Sequence, residues 1–208
     1  MQFKRSLAVL LVLALLLGAL PALAEYNMPY YIEVDLTNQL VTIYNTRDNT
    51  IARQMLCSAG VDNKTPTGTW YMPSKERSDE RTEWYYIRKY QVYVQYVTRF
   101  NGPYLFHSIP YLEKDLATVD QQARSLLGTP ASHGCIRLRS EDAKWIALNC
   151  PDGTPVTVRA GEADEALRAQ LVRRGYVRGE WSSYEEYLCA SLTGGLAGAI
   201  EAQRVAED

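Results

Sequence analysis

The sequence is poor in the residue types that most often carry chemistry. Its 208 residues include two histidines and four cysteines, and 22 Lys and Arg stand against 24 Asp and Glu. A net charge of -2 leaves no basic stripe, which argues against a nucleic-acid-binding module. The doubled metal-ligand spacings CxxC and HExxH are absent, and no glycine-rich phosphate loop follows a strand-like segment. There is no internal repeat or low-complexity tract. With imidazole so scarce, chemistry that needs a neutral-pH base or an imidazole ligand must use His107, His133 or both. A hydrophobic content of 47% with 22% charged residues is that of an ordinary globular chain.

One long apolar run is present, at the N-terminus. Lys4 and Arg5 precede Leu7–Leu20, Pro21 follows, and Ala22-Leu23-Ala24 has the small-x-small pattern cut by signal peptidase before Glu25. Residues 1–24 are expected to be a signal peptide, so the protein is expected to be exported, in the cell wall, periplasmic space or medium. A retained signal anchor is the competing reading and the only route to a membrane, because no later segment is apolar enough to span. Cleavage removes two basic residues and no acidic one, leaving a more acidic mature chain.

The first half reads as β-structure. Ile32, Val34 and Leu36 alternate with Glu33 and Asp35, the period of a half-buried strand. Thr37-Asn38-Gln39 is a turn, Leu40–Tyr44 a second strand, and Thr50–Ser58 a third extended segment. Thr69–Met72 reads as another strand and Ser74–Glu83 as an exposed charged loop. Trp84–Phe100 is an aromatic band, read as sheet packing ahead of a carbohydrate platform. Leu116–Leu127 is expected to be helical. Ser140 is the expected N-cap of a helix with Trp145, Ile146 and Leu148 on its apolar face, ended by Pro151 before a closing strand Pro155–Val158. A helix over Glu162–Arg174, ended by Gly175, and a second with a Ser183/Glu186 capping box form a tail. The organisation is a strand-rich domain over 30–159 and a helical extension over 160–208.

Ser132-His133-Gly134-Cys135-Ile136-Arg137 is the most informative stretch. A cysteine nucleophile needs a base, donors for a developing oxyanion and a backbone that exposes the sulfur. Gly134 removes a side chain beside Cys135. His107, after the apolar run Tyr104-Leu105-Phe106, is expected to end a strand near a sheet edge, where a base is rigid and still meets solvent. Taken alone, His-Gly-Cys is a weak signal, since such residues also serve as core filler.

In company with other features the stretch is specific. Ser132–Cys135, the upstream His107-Ser108, the Thr-Pro-Thr-Gly element Thr65–Gly68 and Asn38-Gln39-Leu40 after the leading strand together resemble the L,D-transpeptidase catalytic domain (YkuD-type) family over about 30–159. The resemblance implies a mainly β fold with some α, an L,D-transpeptidase-like β-sandwich with flanking helices. It also implies an acyl transfer in which Cys135 is the nucleophile, His107 the base, and the Ser108 carbonyl the group that orients its ring. Backbone amides of His133, Gly134 and Cys135 form the oxyanion hole, Ser132 and the His133 side chain shape the site, and Arg137 can meet a substrate carboxylate. The implied partner is a peptidoglycan stem peptide, cleaved after its third residue, held as a thioester and passed to an amine. A thiolate–imidazolium pair stores the proton for the leaving amine. No cofactor or metal is implied. Water in place of the amine gives an L,D-carboxypeptidase with the same residues. A zinc site from His107, His133 and Cys135 or Cys57, and a wall-binding module without catalysis, are the readings from other classes.

Two points stand outside the motif. The 24 residues 108–131 between His107 and Ser132 exceed the usual gap, and their excess around Glu113–Gln122 is expected to be a lid or an insertion beside the cleft. If Cys135 stays free, one internal disulfide is open to the rest; Cys57 with Cys150 is the expected pair, two buried thiols being the alternative, and Cys189 is expected to be a small buried hydrophobe.

Overall fold

The computed structural model describes residues 28–177, with side-chain surroundings given to Val172. The expected signal peptide, Cys189 and the expected second tail helix fall outside the described residues.

Ten strands are described: β1 (Tyr30–Asp35), β2 (Leu40–Asn45), β3 (Ile51–Leu56), β4 (Gly68–Tyr71), β5 (Tyr85–Ile87), β6 (Val92–Val94), β7 (Thr98–Asn101), β8 (Tyr104–Ser108), β9 (Ile136–Leu138) and β10 (Pro155–Arg159). They form a five-stranded sheet ordered β3-β2-β1-β10-β4, a three-stranded sheet β7-β8-β9 and a separate hairpin β5-β6. The closing strand β10 lies parallel to β1, and β9 lies parallel to β8. Three helices are described: α1 (Gln121–Ser125), α2 (Ser140–Asn149) and α3 (Glu165–Val177). The architecture is that of a sheet-rich domain with a few helices.

The alternation read from β1 is met. Ile32 and Val34 are fully buried while Glu33 and Asp35 remain partly exposed, as a pleated strand with one core face requires. That face meets the second sheet in one core: Ile32, Val34, Val41, Ile43 and Met55 pack with Phe100, Phe106, Ile136 and Leu138. Helix α2 adds Ala143 and Ile146 to it. The aromatic band becomes β5, β6 and β7, with ring pairs Tyr86–Tyr93 at 4.9 Å and Trp84–Tyr111 at 5.1 Å.

Several local expectations give way to tertiary structure. Ser140 opens α2 but does not cap it. The N-cap position is Arg139, without a side-chain cap, and Ser140 Oγ lies 2.9 Å from the Tyr111 hydroxyl. The helix start is braced by Asp142, fully buried, which accepts from Arg53 Nε at 2.9 Å and Arg139 Nε at 2.6 Å. Two guanidinium groups offset the desolvation of that carboxylate. The apolar face of α2 is Ala143, Ile146 and Ala147, whereas Leu148 is 66% exposed.

The segment 116–127 is broken into a 3-10 turn (Leu116–Thr118) and α1. Val119 is drawn into a bridge with Tyr111, and Asp120 then caps α1 by accepting from Ala123 N–H at 2.9 Å. In the charged 74–83 loop Glu80 is an exception, buried and paired with Arg99 at 2.7 Å.

The tail helix starts at Glu165 and not at Glu162. The intervening residues are tied to Asn38, which donates from Nδ2 to the Glu162 carbonyl at 2.5 Å and accepts the Asp164 N–H at 2.7 Å. The helix runs through Gly175 to Val177, the last described residue. Its Ala169, Leu171 and Val172 pack on Leu40 and Leu56, so the start of the tail is docked on the five-stranded sheet. Among the described residues, no helix is long and apolar enough to cross a membrane.

Candidate active site

His107 lies next to last in β8. This is the central strand of its sheet and not an edge, and His107 sits in register with Arg137 of β9. The ring is held on one side: Nδ1 lies 2.6 Å from the Ser108 carbonyl. The residue is 3% exposed yet lines a cavity of about 580 Å³, shared with Cys135, Ser132, His133 and Arg137. The structure therefore brings together the sequence-predicted site residues. Burial pushes the His107 imidazole down to about 4, although the Ser108 hydrogen bond works against that shift. Burial also pushes the Cys135 thiol up, while a backbone hydrogen bond with Leu105 and the charge of Arg137 pull it down. Both shifts run against the charged forms of the expected thiolate–imidazolium pair.

The turn carrying Cys135 is locked from within and from below. Ser132 Oγ accepts the Gly134 N–H at 2.9 Å and donates to the Cys135 carbonyl at 2.6 Å. The Gly134 N–H is thus already engaged, which leaves His133 and Cys135 as the backbone donors of the expected trio. Gly134 has φ +131°, and a Cβ there would stand 2.7 Å from the Tyr104 ring and 3.0 Å from the Lys64 carbonyl. Gly134→Ala is expected to lower stability by about 2–4 kcal/mol, a strained φ added to an overpacked contact. A urea titration of the variant beside the parent protein measures it.

Beneath the turn lies the segment 57–65. Ser58 and Arg137 exchange both main-chain hydrogen bonds at 2.9 Å, and the Ala59 carbonyl accepts from Ala131 and Ser132. Gln39 holds that segment in place: its Oε1 accepts the Ala59 N–H at 2.7 Å and its carbonyl accepts the Cys57 N–H at 2.8 Å. Asn38-Gln39-Leu40, Thr65–Gly68 and Ser132–Cys135, far apart in sequence, therefore belong to one hydrogen-bonded assembly under the cavity floor.

Arg137 reaches the cavity with Nη1 donating to the Ala131 carbonyl at 3.1 Å. Burial pulls its guanidinium down, and Asp120, Cys135 and Tyr90 push it up. Asp120 and Tyr90 line the same cavity, and neither was singled out from sequence. Tyr90 stacks on the exposed His133 ring at 4.6 Å, so the turn of hairpin β5-β6 forms one wall. The only available signal for this wall was the aromatic band itself. From the long 108–131 connection only Pro110 and Asp120 reach the cavity. Its exposed Leu112 and Leu116 do not line the cavity, and Leu116 borders a separate groove with Tyr111 and Arg139.

The expected Cys57–Cys150 disulfide is not formed. Both are free thiols in the main core, at 0% and 1% exposure. Burial pushes the Cys57 thiol far up and that of Cys150 up to about 12. Among the described residues, no group of three or more His, Cys, Asp and Glu is arranged to hold a metal ion. Cys57 is enclosed in the core and does not line the cavity, so the zinc reading finds no ligand set among the described residues.

The L,D-transpeptidase catalytic domain (YkuD) family model matches residues 29–158. YciB of Bacillus subtilis (strain 168), whose name carries a provisional L,D-transpeptidase assignment, is 38% identical over 134 residues, 62% of this chain and 64% of YciB. The match thus spans somewhat less than two thirds of that relative. Among solved structures, a fused Zn-dependent amidase/peptidase/peptidoglycan-binding domain-containing protein from Clostridium acetobutylicum ATCC 824 is 28% identical, with TM-score 0.47 over 63% of this chain and 52% of that one. An L,D-transpeptidase (Yku) from Stackebrandtia nassauensis is 20% identical, with TM-score 0.48 over 69% of this chain and 62% of that one.

Proposed function

The chain belongs to the L,D-transpeptidase catalytic domain family, and from that premise we propose that it is an exported enzyme that cross-links peptidoglycan stem peptides through a thioester on Cys135. The observation that carries this reading is the His107 ring, fixed by its Nδ1 on the Ser108 carbonyl at 2.6 Å and facing the cavity it shares with Cys135. A carbonyl only accepts, so Nδ1 bears the proton and Nε2 is the basic nitrogen. With its pKa lowered to about 4, that nitrogen is free of a proton at neutral pH.

As Cys135 Sγ attacks the carbonyl carbon of the third stem residue, its proton passes to His107 Nε2. The oxygen of the tetrahedral intermediate is received by the His133 and Cys135 N–H groups. Collapse breaks the C–N bond, and the departing D-amino acid takes the proton from His107. An amine of a second stem then attacks the thioester and gives its proton to His107; the C–S bond breaks, and the Cys135 thiolate takes that proton back. The Arg137 guanidinium binds a stem carboxylate, and Ser132 and the His133 ring, backed by Tyr90, shape the cleft. The leader-like segment 1–24 supports export.

Incubation with muropeptides carrying tetrapeptide stems is expected to yield cross-linked dimers and free D-amino acid. Trimmed monomers alone would make the protein an L,D-carboxypeptidase. Intact stems, with no carbapenem adduct on Cys135 by mass spectrometry, would return it to a wall-binding module.

A further inference from the structure

Thr65 has no role in the chemistry above, yet its hydroxyl is among the most enclosed polar groups near the site. The residue is 1% exposed. Its Oγ1 accepts the Gly60 N–H at 2.8 Å and donates to the Gly134 carbonyl at 2.8 Å. Both partners are buried main-chain groups, and Gly60 comes so close to Gly134 that a Cβ on it would lie 2.9 Å from the Gly134 Cα. The hydroxyl thus joins the floor segment to the single peptide unit that precedes the cysteine.

That unit has two ends. No cis peptide bond occurs among the described residues, and in a trans peptide the C=O of one residue and the N–H of the next point in opposite directions. A hydroxyl that holds the Gly134 C=O downward therefore holds the Cys135 N–H upward, away from the buried floor and toward the cavity. Gly134 makes this fixation necessary. At φ +131° it has no side chain to restrict the rotation of that peptide, and its own N–H is held by Ser132 Oγ. With Gly134 N–H engaged, the Cys135 N–H is one of two donors left for the oxyanion.

We propose that Thr65 is a positioning residue for acyl transfer: by donating to the Gly134 carbonyl it aims the Cys135 N–H at the oxyanion. This rests on the thiol acyl-transfer reading, and it accounts for why a threonine at the head of the Thr65–Gly68 element accompanies the Ser132–Cys135 motif.

The test compares two reactions of the same sulfur in Thr65→Val, Thr65→Ser and the parent protein. A carbapenem is opened by attack of Sγ on its lactam carbonyl. The C–N bond breaks, and the thiol proton passes through His107 to the ring nitrogen, so an oxyanion must form on the way. Iodoacetamide alkylates Sγ by displacing iodide and forms no oxyanion. Thr65→Val, of the same shape without the hydroxyl, is expected to slow carbapenem acylation about 10–100-fold, somewhat less than outright loss of an oxyanion donor. Alkylation by iodoacetamide should stay within about twofold, because thiol and base are untouched, and Thr65→Ser should restore acylation. Acylation of Thr65→Val at the parent rate would overturn the assignment. So would an equal fall in both reactions, or a failure of Thr65→Ser to recover, since each marks a packing role only. A parent protein that is alkylated but never acylated would instead remove the acyl-transfer reading, and this assignment with it.

Discussion

Cys135→Ala should abolish turnover of tetrapeptide stems and leave no covalent carbapenem adduct, with thermal unfolding close to that of the parent protein. Half-buried Cys135 contributes its sulfur to the cavity wall, where it contacts the Pro103 carbonyl only weakly, at 3.9 Å. Little packing is lost with it, and a thioester has no other atom on which to form. Loss of nucleophilic catalysis at such a centre removes about 10⁶-fold in rate when the remaining groups depend on it. Residual turnover above about 1% of the parent would mean that another residue attacks the substrate, and the assignment of Cys135 would fall. Mass spectrometry of the carbapenem-treated variant and a dimer assay on muropeptides measure the two parts separately.

His107→Gln is the second large effect. Glutamine keeps hydrogen-bonding capacity toward the Ser108 carbonyl but cannot carry a proton at neutral pH, so turnover should fall about 10²–10⁴-fold, the range for loss of a general base. The pH dependence adds a sharper check. Burial holds the parent imidazole at about 4, well below the ordinary 6.5. Its basic form is therefore present at all pH values above that, and the acid limb of kcat/KM should fall near pH 4 and not near 6.5. The same shift links to stability. The unfolded chain binds a proton at this residue between pH 6.5 and 4 and the folded one does not. Stability from this group is thus complete above pH 6.5 and falls as the pH drops toward 4, by about 3 kcal/mol. His107→Gln should flatten that part of the curve in urea titrations run across the range. An acid limb of kcat/KM near 6.5 in the parent would show an imidazole more solvated than the cavity allows.

Much of this site was legible as sequence because its parts are short motifs with rigid chemical demands. His107-Ser108 and Ser132–Cys135 needed only to be brought together, and β8 beside β9 does that through the register of His107 with Arg137. The strands were legible for a similar reason: Ile32 and Val34 against Glu33 and Asp35 carry a period that only one face of a sheet satisfies. What stayed hidden depends on residues that meet across the fold. Ser140 has the chemistry of a cap, but its hydroxyl is taken by Tyr111, 29 residues earlier. Glu80 looked like part of a solvated charge run until Arg99 drew it inside. Asp120 and Tyr90 face the cavity from a connection and a hairpin whose folding has no local signature. The disulfide was misjudged because export makes pairing of cysteines plausible, while sequence carries no information on whether two sulfurs meet in a core.

Those two core thiols bear on how the protein tolerates oxidants. Thiol–disulfide exchange needs a sulfur that the partner can reach, and Cys57 and Cys150 are fully enclosed whereas Cys135 lines the open cavity. Peroxide or a small disulfide reaching the described part of the chain therefore meets Cys135 first. That sulfur, the nucleophile proposed above, is the one that oxidative stress would cap as a sulfenic acid or mixed disulfide, and neither of the enclosed Cys57 and Cys150 is placed to resolve it. Recovery would depend on an external reductant, which makes the proposed catalytic sulfur the redox-vulnerable point among the described residues.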